Sequence, residues 1–217
     1  MRARLVGGVI AAATAAFLAA GCSDSAAPPA AGPAPTPPAS SPQAGAPIAP
    51  EHNQVDVLFA QGMIPHHQQA IAMSSQASER ASSQEVKDLA SRIDQEQGPE
   101  IEQMTAMLDA WGAPRPQPGS TAMPGMPGHG MPGAPMGGMP MQGMMGEAQM
   151  RQLSAQSGAA FDRMFLQMMI EHHSGAVQMA QTEQTQGLNP QARELAGTIA
   201  ADQQREIIEM QTLLSRI

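Results

Sequence analysis

The chain lacks tyrosine, has only one tryptophan and four phenylalanines, and carries a single cysteine, Cys22. One thiol excludes an intramolecular disulfide. Without tyrosine the chain also lacks the common side chain for protein radical chemistry. Positive charge is scarce: 11 Lys and Arg stand against 19 Asp and Glu, a net charge of -8. Nucleic-acid binding needs a basic face, and an acidic chain of this kind does not supply one. The only long apolar run, Leu5 to Ala20, is Ala-rich and too short for a convincing membrane span. Methionine, by contrast, is abundant, with 19 residues. It is a flexible core filler, and it is also a soft sulfur ligand.

The first residues have the layout of an export signal. Arg2 and Arg4 precede the apolar run, and Gly21-Cys22 closes it. Leu18-Ala19-Ala20-Gly21-Cys22 resembles a bacterial lipobox, with Ala19 where leucine is usual. Residues 1–21 are therefore read as a lipoprotein signal peptide and Cys22 as the lipidated residue. That places the mature chain outside the cytoplasm, held by acyl chains on the outer face of the cytoplasmic membrane or the periplasmic side of the envelope. Loss of Arg2 and Arg4 takes the formal charge from -8 to -10.

Residues 22–52 are Ala, Pro, Ser and Gly with few large apolar groups, the composition of a disordered tether. Residues 53–112 turn helical: Asn53 caps with Asp56, and Val55, Phe59, Met63, His66/His67, Ala70 and Met73 recur at helical spacing. Ser82 with Glu85 has the form of a capping box that opens a second helix, ended by Gly112 and Pro114. Residues 113–146 are repeated Met-Pro-Gly units, unable to sustain a helix and read as a disordered linker. Residues 147–217 are helical again, with Asn189-Pro190 starting the last helix.

The two helical regions are copies. A shift of 106 residues superposes them without a gap. Asp56, Phe59, Gln61, Met63, Ile64, His66, His67, Ala70 and Met73 fall on Asp162, Phe165, Gln167, Met169, Ile170, His172, His173, Ala176 and Met179. Leu89, Ala90, Ile93, Gln97, Glu100, Ile101, Met104 and Leu108 fall on Leu195, Ala196, Ile199, Gln203, Glu206, Ile207, Met210 and Leu214. A gapless match through a turn implies one duplicated hairpin, and two hairpins pairing their apolar faces give an all-α four-helix bundle over residues 53–217. Apolar positions drift among similar residues, as at Ile71 and Val177, whereas the retained polar ones are harder to ascribe to packing.

Those polar positions carry the candidate chemistry. Folding each hairpin about its turn brings Gln97 and Glu100 to the height of His66 and His67, and Gln203 and Glu206 to that of His172 and His173. Met63 and Met169 lie one turn before the histidines and can share their face. Adjacent histidines point about 100° apart on a helix, so a pair does not chelate one ion by itself. Four of them, from two hairpins, can converge on one or two sites. Imidazole suits copper, zinc, iron and nickel, and thioether turns the preference toward Cu(I). Glu100 and Glu206 are weaker candidate ligands, or orient an imidazole from behind. The competing reading makes the histidines satisfied core residues of a structural or adaptor protein. Pro65 and Pro99, matched by Glu171 and Arg205, suggest that the two histidine pairs are inequivalent. The linker adds Met123, Met126, His129 and Met131, soft donors suited to Cu(I) or Ag(I), or else a low-complexity spacer.

The pattern Asp-x-x-Phe-x-x-x-Met-Ile-x-His-His-x-x-Ala-x-x-Met runs from Asp56 to Met73 and again from Asp162 to Met179. Ile-x-x-x-Gln-x-x-Glu-Ile-x-x-Met runs from Ile93 to Met104 and from Ile199 to Met210. Together they resemble a bacterial domain-of-unknown-function family of exported proteins, copper-binding members among them, with a ferritin-like four-helix bundle. The resemblance covers both hairpins but neither tether nor linker. It implies extracytoplasmic copper handling through Met63, His66, His67, Met169, His172 and His173. Di-iron chemistry does not follow, because that requires Glu-x-x-His pairs in the core, and neither motif has one. A metal-dependent oxidase is thus the least favoured reading, behind a copper-binding lipoprotein and an adaptor. Zinc and silver are the alternative ions, and a membrane the only other partner the residues suggest. If Cys22 is the lipid attachment point, Cys22→Ser is expected to move the protein from the membrane to the soluble extracytoplasmic fraction; retention on the membrane would count against the anchor.

Overall fold

The computed structural model describes residues 47–116 and 142–217. The signal peptide, Cys22, most of the tether, and Met123, Met126, His129 and Met131 lie outside the described residues. The elements are helices: α1 (Gln54–Ser74), α2 (Ala77–Arg80), α3 (Gln84–Ala110), α4 (Glu147–Ser154), α5 (Gly158–Gln186) and α6 (Pro190–Leu214). Among the described residues none is long and apolar enough to cross a membrane.

Helix α1 packs on α3 and α5 on α6, forming two antiparallel hairpins; α1 then meets α5, and α3 meets α6. This is the duplicated four-helix bundle expected from the repeat. Asn53 caps α1 through a capping box with Asp56, and Asn189 caps α6 with Pro190 at its first turn. Gly112, at φ 63°, ends α3 in the left-handed conformation, while the Ala113 N–H reaches back to the Leu108 carbonyl at 2.9 Å. Pro65 and Pro99 both lie inside helices that continue through them.

One expected cap is displaced by a residue. Ser83, not Ser82, caps α3, accepting from the Val86 N–H. Ser82 is otherwise engaged: its hydroxyl donates to Asp162 on α5, and its N–H reaches the same carboxylate at 3.0 Å. The Ser83 N–H adds a third bond at 2.9 Å. The symmetry mate repeats the device. Asp56 on α1 accepts from the N–H groups of Leu188 at 3.1 Å and Asn189 at 2.9 Å, just before α6. Each hairpin thus grips the turn of the other, which gives the retained aspartates a structural role.

The apolar core is split in two. One cluster joins the end of α1 and start of α3 (Met73, Leu89, Ile93) with Phe161, Phe165, Met169 and Met210. The other joins Phe59, Met63 and Ile64 with Met104, Leu108, Leu195 and Ile199. The repeat exchanges the two clusters, as Phe59 with Phe165 and Leu89 with Leu195. The histidines lie between them in sequence and in space.

Two segments assigned from composition to tether and linker belong with the bundle. The Ala49 N–H bonds to Gln191 at 2.7 Å, and His52 stacks on Trp111 with ring centroids 4.9 Å apart. At the other margin Met145, placed in the linker, is buried in the first cluster. Pro and Gly argue against helix there, but they do not prevent a short extended segment from packing.

The copies also differ where Glu183 meets Asp56, because the position equivalent to Glu183 in the first hairpin is Ala77. Glu183 is fully buried, and neither of its oxygens receives a bond from a donor elsewhere in the protein. Burial pushes its pKa up, and the neighbouring Asp56 adds to this, bringing it to about 8. Burial also pushes Asp56 upward, but bonds from Glu183 and from three backbone N–H groups outweigh it and hold that carboxyl low. The pair therefore shares a proton carried by Glu183. An unfolded glutamate loses its proton near pH 4.3, so folding retains a proton across the window from there to about 8. This contribution to stability is full at the acid end and is lost as pH rises. Unfolding midpoints measured between pH 4.5 and 8.5 are expected to fall more steeply for the wild type than for Glu183→Gln; parallel profiles would refute the shared proton.

Candidate metal centre

Between the two apolar clusters lies a polar layer. All four motif histidines are fully buried, and Gln97 and Gln203 are 2% and 3% exposed. The i and i+1 positions of each His-His pair point to different neighbours, as helical geometry requires. The second histidine of each pair turns toward its own hairpin partner: His67 Nε2 lies 2.7 Å from Glu100 Oε2, and His173 Nε2 lies 2.7 Å from Glu206 Oε2. The first histidines meet across the pseudo-twofold axis, with the rings of His66 and His172 at a centroid distance of 3.7 Å and an angle of 38°.

Burial is the main cause that pushes the His66 pKa down, to about 3, with His67 and His173 adding to it; a contact with the Gln142 carbonyl opposes the fall. Burial likewise drives His172 well below the usual value, and the other three histidines reinforce it. Both imidazoles are therefore neutral near pH 7 and present lone pairs, the form in which imidazole ligates metals.

Many of these atoms lack partners. Nδ1 of His66, His67 and His173, both ring nitrogens of His172, the amide atoms of Gln97 and Gln203, and Oε1 of Glu206 have none within the protein. Buried polar atoms without partners cost roughly 1–3 kcal/mol each, so the layer costs the metal-free bundle stability. Among the described residues, no three His, Cys, Asp or Glu side chains already stand in ligating geometry. Holding an ion would thus require the side chains to shift; both ring nitrogens of His172 lack a partner of good hydrogen-bond geometry, and the His66 backbone opposes the fall in its pKa.

The structure brings together the four histidines and both glutamates. It does not do the same for the methionines: Met63 and Met169 share the histidine faces but pack into opposite apolar clusters. Sequence reasoning missed Gln142, whose backbone oxygen lies 3.3 Å from His66 Nε2. No side-chain motif marks such a contact. The only signal was a difference between the copies, Gln69 against Gly175.

A family model described as Domain of unknown function (DUF305) matches residues 56–214. The chain belongs to the DUF305 family. A protein of Streptomyces coelicolor, provisionally designated a secreted DUF305 protein, is 33% identical with a TM-score of 0.63, covering 75% of this chain and 93% of its own. CopM in its Cu(II)-bound form is 33% identical with a TM-score of 0.58, covering 74% and 96%. In its Cu(I)-bound form the values are 28%, 0.59, 76% and 98%, and CopM has also been solved with silver. No curated protein is similar in sequence at a significant level. The DUF305 match spans both hairpins, so the central histidine layer lies wholly inside the family domain.

The hydrogen bonds of the layer separate residues that support the fold from residues that burden it. Glu206→Ala leaves His173 Nε2 unpaired and is expected to cost about 1–3 kcal/mol. His172→Leu removes two unpartnered nitrogens and is expected to leave the metal-free protein as stable or more so. Denaturant unfolding of both variants checks the contrast, and a large loss in His172→Leu would mean that the ring has a structural role.

Proposed function

We propose that this protein is an extracytoplasmic copper-binding lipoprotein that sequesters or hands on the ion. The observation that carries the reading is the buried layer of four imidazoles with unpartnered ring nitrogens, built by both hairpins at a cost to stability. Fully satisfied core histidines would leave no such nitrogens. His66, His67, His172 and His173 supply the imidazoles, with Glu100 and Glu206 orienting His67 and His173. Met63 and Met169 contribute thioethers if their side chains turn toward the layer. A mixed imidazole and thioether set accepts both Cu(II) and Cu(I), with silver following Cu(I) and zinc as competitor. The copper- and silver-bound forms of CopM support the same ions. Met123, Met126, His129 and Met131 act as softer accessory donors, and Cys22 anchors the chain. The role is binding rather than catalysis.

An adaptor protein with no metal is the second reading, favoured because among the described residues no three ligands are pre-positioned. The two differ in their response to metal. Copper that binds only the folded state stabilises it by about 2.7 kcal/mol at a hundredfold excess over Kd. Titration of the Cys22→Ser protein with Cu(I), Cu(II) and Zn(II), followed by binding and by thermal unfolding, is expected to show copper binding and a raised melting temperature. Both effects should vanish when the four histidines are replaced and persist when residues 120–141 are deleted. Loss on deletion alone would move the site to the linker, and an unchanged melting temperature in every case would favour the adaptor.

A further inference from the structure

The polar layer lies on a pseudo-twofold axis, yet its surroundings are not symmetric. Residues 142–145 cross the axis between α1 and α5. Gln142 places its carbonyl oxygen against His66 Nε2 at 3.3 Å. Two residues that the repeat makes equivalent hold this segment on either side. On α1, Gln69 forms a reciprocal pair with Met145, accepting from its N–H at 2.6 Å and donating to its carbonyl at 2.8 Å. On α5 the equivalent residue is Gly175. A Cβ there would lie 2.0 Å from the Gln142 oxygen and 2.8 Å from the Gly143 Cα. Gly143 itself has φ 81°, and a Cβ on it would fall 2.7 Å from the His172 carbonyl oxygen. The backbone of the segment therefore rests directly on the turn of α5 that carries His172.

A single segment crossing a twofold axis must meet two unlike surfaces. The sequence provides them: glycine where the backbone passes in contact, and glutamine where it must be clasped. Helix stability alone would favour Ala over Gly at 175. His66 has a partner on Nε2, while His172 has none on either nitrogen.

We propose that residues 142–145 are a strap that closes the α1–α5 side of the His66–His172 pair and controls access to it. It is held by the Gln69 clasp and the Gly143–Gly175 contact, and an ion reaching His66 Nε2 must displace the Gln142 carbonyl. The inference rests on the copper reading for the identity of the ion, but not for the strap itself. The strap also continues from the methionine-rich segment, so soft donors in that segment would be joined covalently to the cover of the histidine pair.

The test begins on the metal-free full-length Cys22→Ser protein. Gly175→Ala drives the strap off by collision, and Gln69→Ala releases it by removing its clasp. Hydrogen exchange read at the Met145 amide is expected to accelerate at least tenfold in both. Diethyl pyrocarbonate labelling of His66 and His172, read residue by residue by mass spectrometry, is expected to rise several-fold, with helicity retained. Unchanged labelling in a folded Gly175→Ala protein overturns the proposal. If that variant does not fold, unchanged labelling in Gln69→Ala does so instead. Association of Ag(I), used as a Cu(I) probe, should quicken in whichever variant is labelled faster; an unaltered rate would place the route elsewhere and also overturn it. If no form binds Ag(I) or copper, the copper reading fails, and the strap then stands or falls on exchange and labelling alone.

Discussion

The contact between His66 and His172 marks where a polar layer divides the core of the bundle. Two neutral imidazoles from different hairpins face each other at 3.7 Å, both fully buried. Apolar side chains at these positions would join the two hydrophobic clusters into one core. The histidines instead divide it, and the remaining polar residues are arranged around that division. Glu100 and Glu206 hold the outer pair, His67 and His173, while Gln97 and Gln203 occupy the same layer with amides that bond to nothing in the protein.

A layer with this many unpartnered atoms is tolerable because other contacts over-determine the fold. The reciprocal aspartates are chief among these. Asp56 and Asp162 each join one hairpin to the turn of the other, so the hairpins are tied at both ends of the bundle while the middle bears the cost. The division of labour is clear in the repeat. Identities at the ends hold the two hairpins together, and identities in the middle build the buried polar layer.

Duplication makes symmetry the starting condition, and the departures from it are informative. Glu183 replaces the Ala77 position and buries a carboxyl beside one aspartate but not beside the other. Gly175 replaces the Gln69 position and admits a backbone segment over the central rings. Neither substitution follows from helix propensity or core volume. Each depends on what lies across the interface, and that is set only when the hairpins associate.

The sequence by itself was enough to establish the helices, the duplication, the caps at Asn53 and Asn189, and the level at which glutamates meet histidines. All of these follow from spacing along one chain: helical periodicity fixes faces, and a gapless 106-residue shift fixes equivalence. The histidines, too, were legible as candidates, because a polar pair repeated on an apolar stripe is unlike core. Tertiary structure alone decided which histidine faces which neighbour. It moved the α3 cap from Ser82 to Ser83, since Asp162 competes for Ser82, and it drew Met145 and residues 47–52 into the folded body. It also parted Met63 and Met169 into opposite clusters. These outcomes rest on contacts between segments more than 30 residues apart and, in the strap, on a backbone carbonyl. A main-chain atom leaves no mark in residue identity except where, as at Gly175, it forbids a side chain.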